Sequence, residues 1–259
     1  MTGPYGLHLH AEGSGPAVLW LHGYTMDSTV WQPLWQLLPG HTHIGVDLPG
    51  HGRSAPLTPG LTLPELAAQL ADIARETGAR RVVALSFGST SALQLALQEP
   101  DLVERLVLAA PTLAGTPNED SARLRYRQLM MLHRLTGPGE QLADLWMQSP
   151  PDIFTGTLRH PALRASLRAV VARHGWAELG NRAMDALTAH RHTPDDLRRI
   201  TARTLVVVGD EDMPAFVRNG ELLRDTLTDA RLLTLPETGH LPLLERPETL
   251  APTLAEHLA

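Results

Sequence analysis

The stretch that decides the fold is Arg81-Val-Val-Ala-Leu-Ser-Phe-Gly-Ser-Thr90. Its apolar run, 82–85, is too short for a helix and follows charged residues, which predicts a buried parallel strand. The next residues, 91–98, have high helix propensity and stop before Glu99-Pro100. Ser86 therefore lies where a strand turns sharply into a helix. Its hydroxyl projects from that turn, and the helix N-terminus behind it favours negative charge.

The turn departs from the Gly-x-Ser-x-Gly pattern that is usual around a nucleophilic serine. Ala84 stands where the first glycine is expected, and Gly88 keeps the second. Small residues are needed on both sides because the strand and the helix nearly touch, and alanine adds only a methyl group. By itself the stretch also fits an ordinary serine near the start of a helix. The rest of the chain has to decide between the two interpretations.

The composition limits the chemistry that is available. The chain has 259 residues, no cysteine and a formal net charge of −6 without a long run of one sign. Disulfides and thiolate catalysis are excluded, and nothing indicates a nucleic-acid or membrane partner. All 22 residues counted as lysine or arginine are arginine, which removes lysine as a base. No signal peptide is visible and no apolar run approaches the roughly 18 residues that span a bilayer, so we expect a cytoplasmic protein.

Short apolar strands alternate with amphipathic helices on both sides of a long helical stretch. Strands are expected at 7–10, 17–21, 44–46, 81–85, 102–110, 204–208 and 230–235. This alternation predicts an α/β fold, with a mostly parallel twisted sheet covered by helices on both faces.

No strand is predicted between 118 and 199. Helices are expected there at 121–135, 139–147, 161–174, 177–190 and 194–200. We therefore predict a core formed by residues 1–111 and 200–259, with residues 112–199 as a helical lid over the open end of the sheet.

Three kinds of side chain follow three of the predicted strands. Ser86 follows the strand at 81–85, an acidic group follows 204–208, and His240 follows 230–235. Such groups converge because the carboxyl ends of parallel strands meet at one edge of the sheet. A serine hydroxyl needs an adjacent base to act as a nucleophile, imidazole is suited to that role, and a carboxylate can orient the imidazole. Strand alternation does not choose the acid among residues 210–212.

Five motifs carry a family resemblance. They are His22-Gly23, Asp47-Leu-Pro-Gly-His-Gly-Arg-Ser54, Leu85-Ser-Phe-Gly88, Gly209-Asp-Glu-Asp212 and Gly239-His-Leu-Pro242. In this order and spacing they resemble the α/β-hydrolase superfamily, in particular lid-bearing bacterial serine carboxylesterases and enol-lactone hydrolases. The likeness covers nearly the whole chain.

The resemblance implies hydrolysis of an ester or lactone of a small, largely apolar molecule through an acyl-serine intermediate, without cofactor or metal. It implies a catalytic triad of Ser86, His240 and Asp212, because the family's acid stands third after the glycine; Asp210 is the alternative. The oxyanion hole would consist of the backbone N–H groups of Tyr24 and Phe87.

Methionine and tryptophan side chains are concentrated in the predicted lid. They fit either the lid's own core or the wall of an apolar substrate pocket. The candidate substrate-binding residues are Gly23, Met130, Met131, Trp146, Met147, Trp176 and Leu241.

The expected partner is a small-molecule ester, with no nucleic acid and no membrane, for a protein that is a monomer or homodimer. Related folds leave other functions open, because function depends on the site rather than the fold. The alternatives are an acyl thioesterase, a C–C bond hydrolase, a hydroxynitrile lyase, a cofactor-free haloperoxidase and a ligand receptor.

Overall fold

A twisted sheet of seven strands forms the centre of the computed structural model, which describes residues 3–116 and 120–259. The strands are β1 (His8–Gly13), β2 (Ala17–Leu21), β3 (Thr42–Asp47), β4 (Arg81–Leu85), β5 (Arg105–Ala109), β6 (Arg203–Gly209) and β7 (Ala230–Leu235). Their order is β1-β3-β2-β4-β5-β6-β7. β1 is antiparallel to β3, and the other neighbouring pairs are parallel. The predicted fold class is confirmed.

Helices cover both faces of the sheet and fill the long connection between β5 and β6. They are α1 (Gln32–Trp35), α2 (Leu63–Thr77), α3 (Phe87–Gln98), α4 (Asp120–Thr136), α5 (Glu140–Trp146), α6 (Pro161–Ala172), α7 (Glu178–Asn181), α8 (Met184–Thr188), α9 (Pro194–Arg198), α10 (Pro214–Thr226), α11 (Pro242–Glu245) and α12 (Pro247–Leu258). None of these helices is long and apolar enough to cross a bilayer.

Both faces of the sheet are buried. In β2, Leu19 and Leu21 join one apolar cluster, whereas Val18 and Trp20 join the cluster on the opposite face. Side chains alternate between the two faces of a strand, so an uninterrupted apolar strand requires cover on both. This burial explains why 17–21 contains only apolar residues.

The connection between β5 and β6 contains no strand among its described residues, and residues 117–119 of the predicted lid lie outside them. The helix predicted at 177–190 is wrong as a continuous element. Arg182 has a left-handed backbone (φ 57°), which separates α7 from α8. Two short 3₁₀ turns, Asp152–Phe154 and Gly156–Arg159, were not predicted. This connection is called the helical segment below.

Candidate active site

Ser86 occupies a strained turn between β4 and α3. Its φ of 50° and ψ of −115° are unfavourable for a residue with a side chain, and such outliers persist only where the surroundings enforce them. The N–H of Ser86 donates to the carbonyl of Ala109 in β5 at 2.9 Å. α3 packs so close to the end of β2 that a Cβ on Gly88 would stand 2.6 Å from the carbonyl oxygen of Leu21. The turn therefore requires glycine at position 88, two residues after the serine, as the motif predicted.

A line of hydrogen bonds connects Ser86 with two side chains from other strand ends. Ser86 Oγ lies 2.8 Å from His240 Nε2, and His240 Nδ1 lies 2.8 Å from Asp212 Oδ1. The N–H of Met213 also donates to Asp212 Oδ1 at 2.7 Å. Since a carboxylate only accepts, this arrangement places the imidazole proton on Nδ1 and leaves Nε2 to accept from the serine hydroxyl. His240 and Asp212 are buried, with 1% and 7% of their surface exposed.

Asp210, the alternative acid, faces elsewhere. It is exposed, and its carboxylate accepts from the backbone N–H of Thr238 at 3.4 Å. The structure therefore brings Asp212, and not Asp210, to His240.

Two backbone N–H groups beside Ser86 have no acceptor in the part of the chain that the structure describes. Phe87 is the first residue of α3, and Tyr24 follows Gly23, where a Cβ would stand 3.7 Å from that of Ser86. Among residues 3–116 and 120–259, neither the N–H of Tyr24 nor that of Phe87 donates to a protein acceptor. Unpaired donors next to a nucleophile are suited to bind a developing oxyanion.

His22 holds the loop that carries Tyr24. Its Nδ1 donates to the carbonyl of Gly23 at 2.8 Å, and its Nε2 accepts from the N–H of Leu48 at 2.9 Å. Burial lowers the pKa of His22, which favours the neutral ring that these two bonds require. His22 therefore holds the turn that carries Tyr24 in place.

A cavity of about 390 Å³ opens next to Ser86. Its walls are mostly apolar and come mainly from the helical segment and from the start of α10. The large side chains in its wall are Tyr24, Phe87, Tyr126, Trp146, Ile153, Met184, Met213 and Phe216. A mostly apolar cleft beside a few converging polar groups is the usual form of a small-molecule site.

The family model described as the alpha/beta hydrolase family matches residues 18–253. The chain belongs to the alpha/beta hydrolase family.

Relatives of this hydrolase include named esterases. The chain is 28% identical over 263 residues to the pimeloyl-[acyl-carrier protein] methyl ester esterase of Nitrosomonas europaea, covering 93% of this chain and 95% of that protein. A solved thermophilic esterase of Thermogutta terrifontis is 26% identical with a TM-score of 0.80, covering 98% of this chain and 94% of that one. The enol-lactonase of Burkholderia xenovorans, at 22% identity and TM-score 0.80, covers 97% of this chain and 96% of that one and shows the shared fold. The predicted family and the prediction of a hydrolase acting on ester bonds are confirmed.

Only part of the predicted substrate-binding set lies at the cavity of this hydrolase. Trp146 lines it, and Gly23 lies next to Ser86. Met131 does not line the cavity, because it is 66% exposed on the outer face of α4. Tyr126 of α4 faces the cavity, and Met131 follows it by five residues, a rotation of about 140° that turns Met131 away from the site.

The other candidates are also absent from the cavity wall. Met130 packs against the apolar core, and Met147 borders a separate hollow with Leu158. Trp176 and Leu241 are fully buried core residues. For these side chains the structure favours core packing over a pocket wall.

Sequence reasoning missed Phe216. Its ring stands edge-on to the imidazole of His240, with centroids 4.2 Å apart. It lies in the first turn of α10, four residues after Asp212, and that short spacing was its sole sequence signal. The ring covers the imidazole and lines the cavity, so it contacts both the proposed base and the space for substrate.

The helical segment is joined to the loop after β2 by buried polar contacts. The hydroxyl of Tyr24 donates to Glu178 Oε1 at 2.5 Å, and His174 Nε2 lies 2.9 Å from the same oxygen. Burial raises the pKa of the Glu178 carboxyl, but the hydrogen bonds from His174 and Tyr24 outweigh it and bring the pKa below its usual value. Trp146 Nε1 donates to Thr25 Oγ1 at 2.9 Å. The segment that walls the cavity therefore also contacts the loop that carries the N–H of Tyr24.

Proposed function

We propose that this hydrolase cleaves carboxylic esters of small, largely apolar molecules through an acyl intermediate on Ser86. The observation that carries the proposal is the line of hydrogen bonds from Asp212 through His240 to Ser86, at 2.8 Å for each bond. The N–H groups of Tyr24 and Phe87 support it, because they have no acceptor among the described residues and belong to backbone next to Ser86.

Acylation begins when Ser86 Oγ attacks the ester carbonyl carbon and His240 Nε2 takes the hydroxyl proton. Asp212 keeps the imidazole in the required tautomer and stabilises the imidazolium that forms. The N–H groups of Tyr24 and Phe87 donate to the oxyanion, and loss of one such donor typically costs about 3–4 kcal/mol. His240 then gives its proton to the leaving alcohol.

Deacylation repeats these roles with water as the nucleophile. His240 removes a proton from water, and the resulting hydroxide attacks the acyl carbon on the same side. The tetrahedral intermediate collapses, the carboxylic acid leaves, and the proton returns to Ser86 Oγ.

Two adjoining cavities support a small ester as substrate. The apolar cavity shares Phe87, Thr112, Thr116 and Thr188 with a second cavity of about 340 Å³, so the two adjoin at the proposed oxyanion donor Phe87. The acyl group fits the apolar cavity and the alcohol part fits the other. Residues 112–199 serve as the lid that excludes water from both.

The first test is intact-mass analysis after exposure to a fluorophosphonate, with Ser86→Ala as the comparison. We expect a single covalent adduct on the wild type that is absent from Ser86→Ala. Well-folded wild type without an adduct would contradict the proposed nucleophile.

The second test is a panel of aryl esters and thioesters of increasing acyl length. Hexanoate is expected to exceed acetate in kcat/KM because its chain fills the apolar cavity. Equal values would argue against an apolar acyl site. Failure on every ester and thioester, with activity on a cyanohydrin or diketone, would overturn ester hydrolysis itself.

A further inference from the structure

A buried carboxylate that the proposed chemistry does not use lies next to His240. Glu245 is 3% exposed, at the end of the short helix α11. Its Oε2 accepts from the N–H of Gly239 at 2.8 Å, and its Oε1 accepts from the N–H of Leu241 at 3.0 Å. These are the residues on either side of His240.

The two bonds restrict the direction in which His240 projects. The N–H of Leu241 lies in the planar peptide that directly follows the His240 Cα, so its bond to Glu245 fixes that plane. The bond from the N–H of Gly239 fixes the peptide one residue before the one that enters His240, which leaves the backbone at His240 little room to rotate. Bonds to an ionised carboxylate are about twice as strong as neutral ones. The imidazole has to reach Ser86 and Asp212 at the same time. A small rotation of the backbone at residues 239–241 would therefore break one of these two hydrogen bonds.

The helical segment closes against the same carboxylate. A Cβ on Gly156 would stand 2.2 Å from Glu245 Oε2, and a Cβ on Gly239 would stand 3.0 Å from the Cα of Gly156. A Cβ at Gly156 would collide with the carboxylate and one at Gly239 would be tightly crowded, so the backbone of Gly156 packs directly against the buried Glu245 carboxylate.

We propose that Glu245 is a positioning residue for His240, and that Gly156 holds its carboxylate in place. The inference rests on the proposed function, because it concerns the orientation of the proposed base. Glu245 touches neither the substrate space nor Ser86 among the contacts described above.

Glu245→Gln tests this with little change of shape. A glutamine has one accepting oxygen, and its NH₂ group meets the other N–H, so one of the two bonds is lost. We expect the kcat for an aryl ester and the rate of fluorophosphonate labelling to fall together by about tenfold to a hundredfold. KM should stay within about threefold, since the lost orientation matters in the transition state. Glu248→Gln, an exposed position on α12, is the matched control and should change neither quantity.

Gly156→Ala tests the same contact while keeping the carboxylate and both N–H groups. Its added methyl pushes the Glu245 carboxylate away, so it should reproduce the loss of kcat and of labelling rate. Gly180→Ala is its control in the same helical segment, because a Cβ there meets its nearest atom at 3.8 Å. If Glu245→Gln does not fold, the comparison of Gly156→Ala with Gly180→Ala still tests the positioning role of Glu245.

The outcomes separate the two proposals. Wild type that is not labelled at all would overturn the proposed function and this inference with it. Labelled wild type, with Glu245→Gln and Gly156→Ala labelled at the wild-type rate, would overturn the positioning role alone. A lowered melting temperature with unchanged kcat would also overturn it, because the glutamate would then be merely structural.

Discussion

Replacing Gly88 with alanine is expected to remove most of the turnover of this hydrolase while leaving it folded. The added methyl would stand 2.6 Å from the carbonyl oxygen of Leu21 and 2.7 Å from that of His22. Carbon–oxygen contacts normally lie at about 3.3–3.6 Å, so α3 has to move back by roughly 0.7 Å. Overpacking of this size costs about 1–3 kcal/mol of stability, which a folded domain usually tolerates.

The catalytic cost is larger because α3 begins with Phe87. A shift of the helix start would move the N–H of Phe87 away from the proposed oxyanion position. Removal of one donor of this kind typically lowers kcat by about 10²–10³-fold, and we expect Gly88→Ala to approach that range.

The assay compares kcat and KM for an aryl ester with thermal unfolding of the same samples. Gly40→Ala is the control, since a Cβ at Gly40 meets no atom within 4 Å. The reasoning is refuted if Gly88→Ala keeps kcat within about threefold of wild type, because the N–H of Phe87 would then not be a required donor.

Further predictions concern the acid, the first position of the serine motif, and pH. Asp212→Asn should lower kcat by about 10⁴-fold because an amide favours the wrong imidazole tautomer, whereas Asp210→Asn should leave it nearly unchanged; similar losses in both would contradict the assignment. Ala84→Gly should keep kcat within about tenfold, and a larger loss would assign its methyl a packing role. Stability should fall between about pH 6.5 and 4, because burial lowers the pKa of His43 and of His257 to about 4 in the folded protein. The unfolded chain takes up protons first, so each histidine contributes at most about 1.4 kcal/mol per pH unit there. Urea unfolding at pH 7 and at pH 5 gives the free energy of unfolding at each pH. The difference between the two values should be smaller in the double variant His43→Gln/His257→Gln.

Local signals in the sequence were enough for the sheet and for the serine turn. The strand at 81–85 and the helix after it are set by short-range propensity, and Gly88 is required by a close approach that the motif encodes. Parallel strands bring an acidic group among residues 210–212 to the same edge as His240, but the family resemblance was needed to select Asp212 over Asp210. These features depend on residues that are close in sequence or on the regular geometry of a sheet.

The wall of the cavity could not be predicted in the same way. Met131 is exposed, while Tyr126 on the same helix faces the cavity, because the rotation of α4 depends on what Leu129 packs against. Periodicity shows that a helix has faces but not which neighbour each face meets.

Glu245 shows a second limit of the sequence. Glu245 ends a short helix, and in the sequence it resembles an ordinary surface residue. Acidic side chains are almost never fully buried unless they are paired. It is buried because Gly156, 89 residues earlier in the chain, packs over it. A contact between residues so far apart in the chain cannot be predicted from the local pattern of residue types.

The hydrogen bond between Tyr24 and Glu178 has a consequence for which molecules the enzyme can turn over. If the helical segment moves outward to admit a bulky ester, either this bond breaks or the loop that carries the N–H of Tyr24 moves with the segment. In the first case the loop loses one of its anchors, and in the second the N–H of Tyr24, a proposed oxyanion donor, moves away from Ser86. We therefore expect oversized esters to be limited by slow reaction rather than by weak binding. They would occupy the enzyme without turning over, and act as competitive inhibitors of the smaller esters.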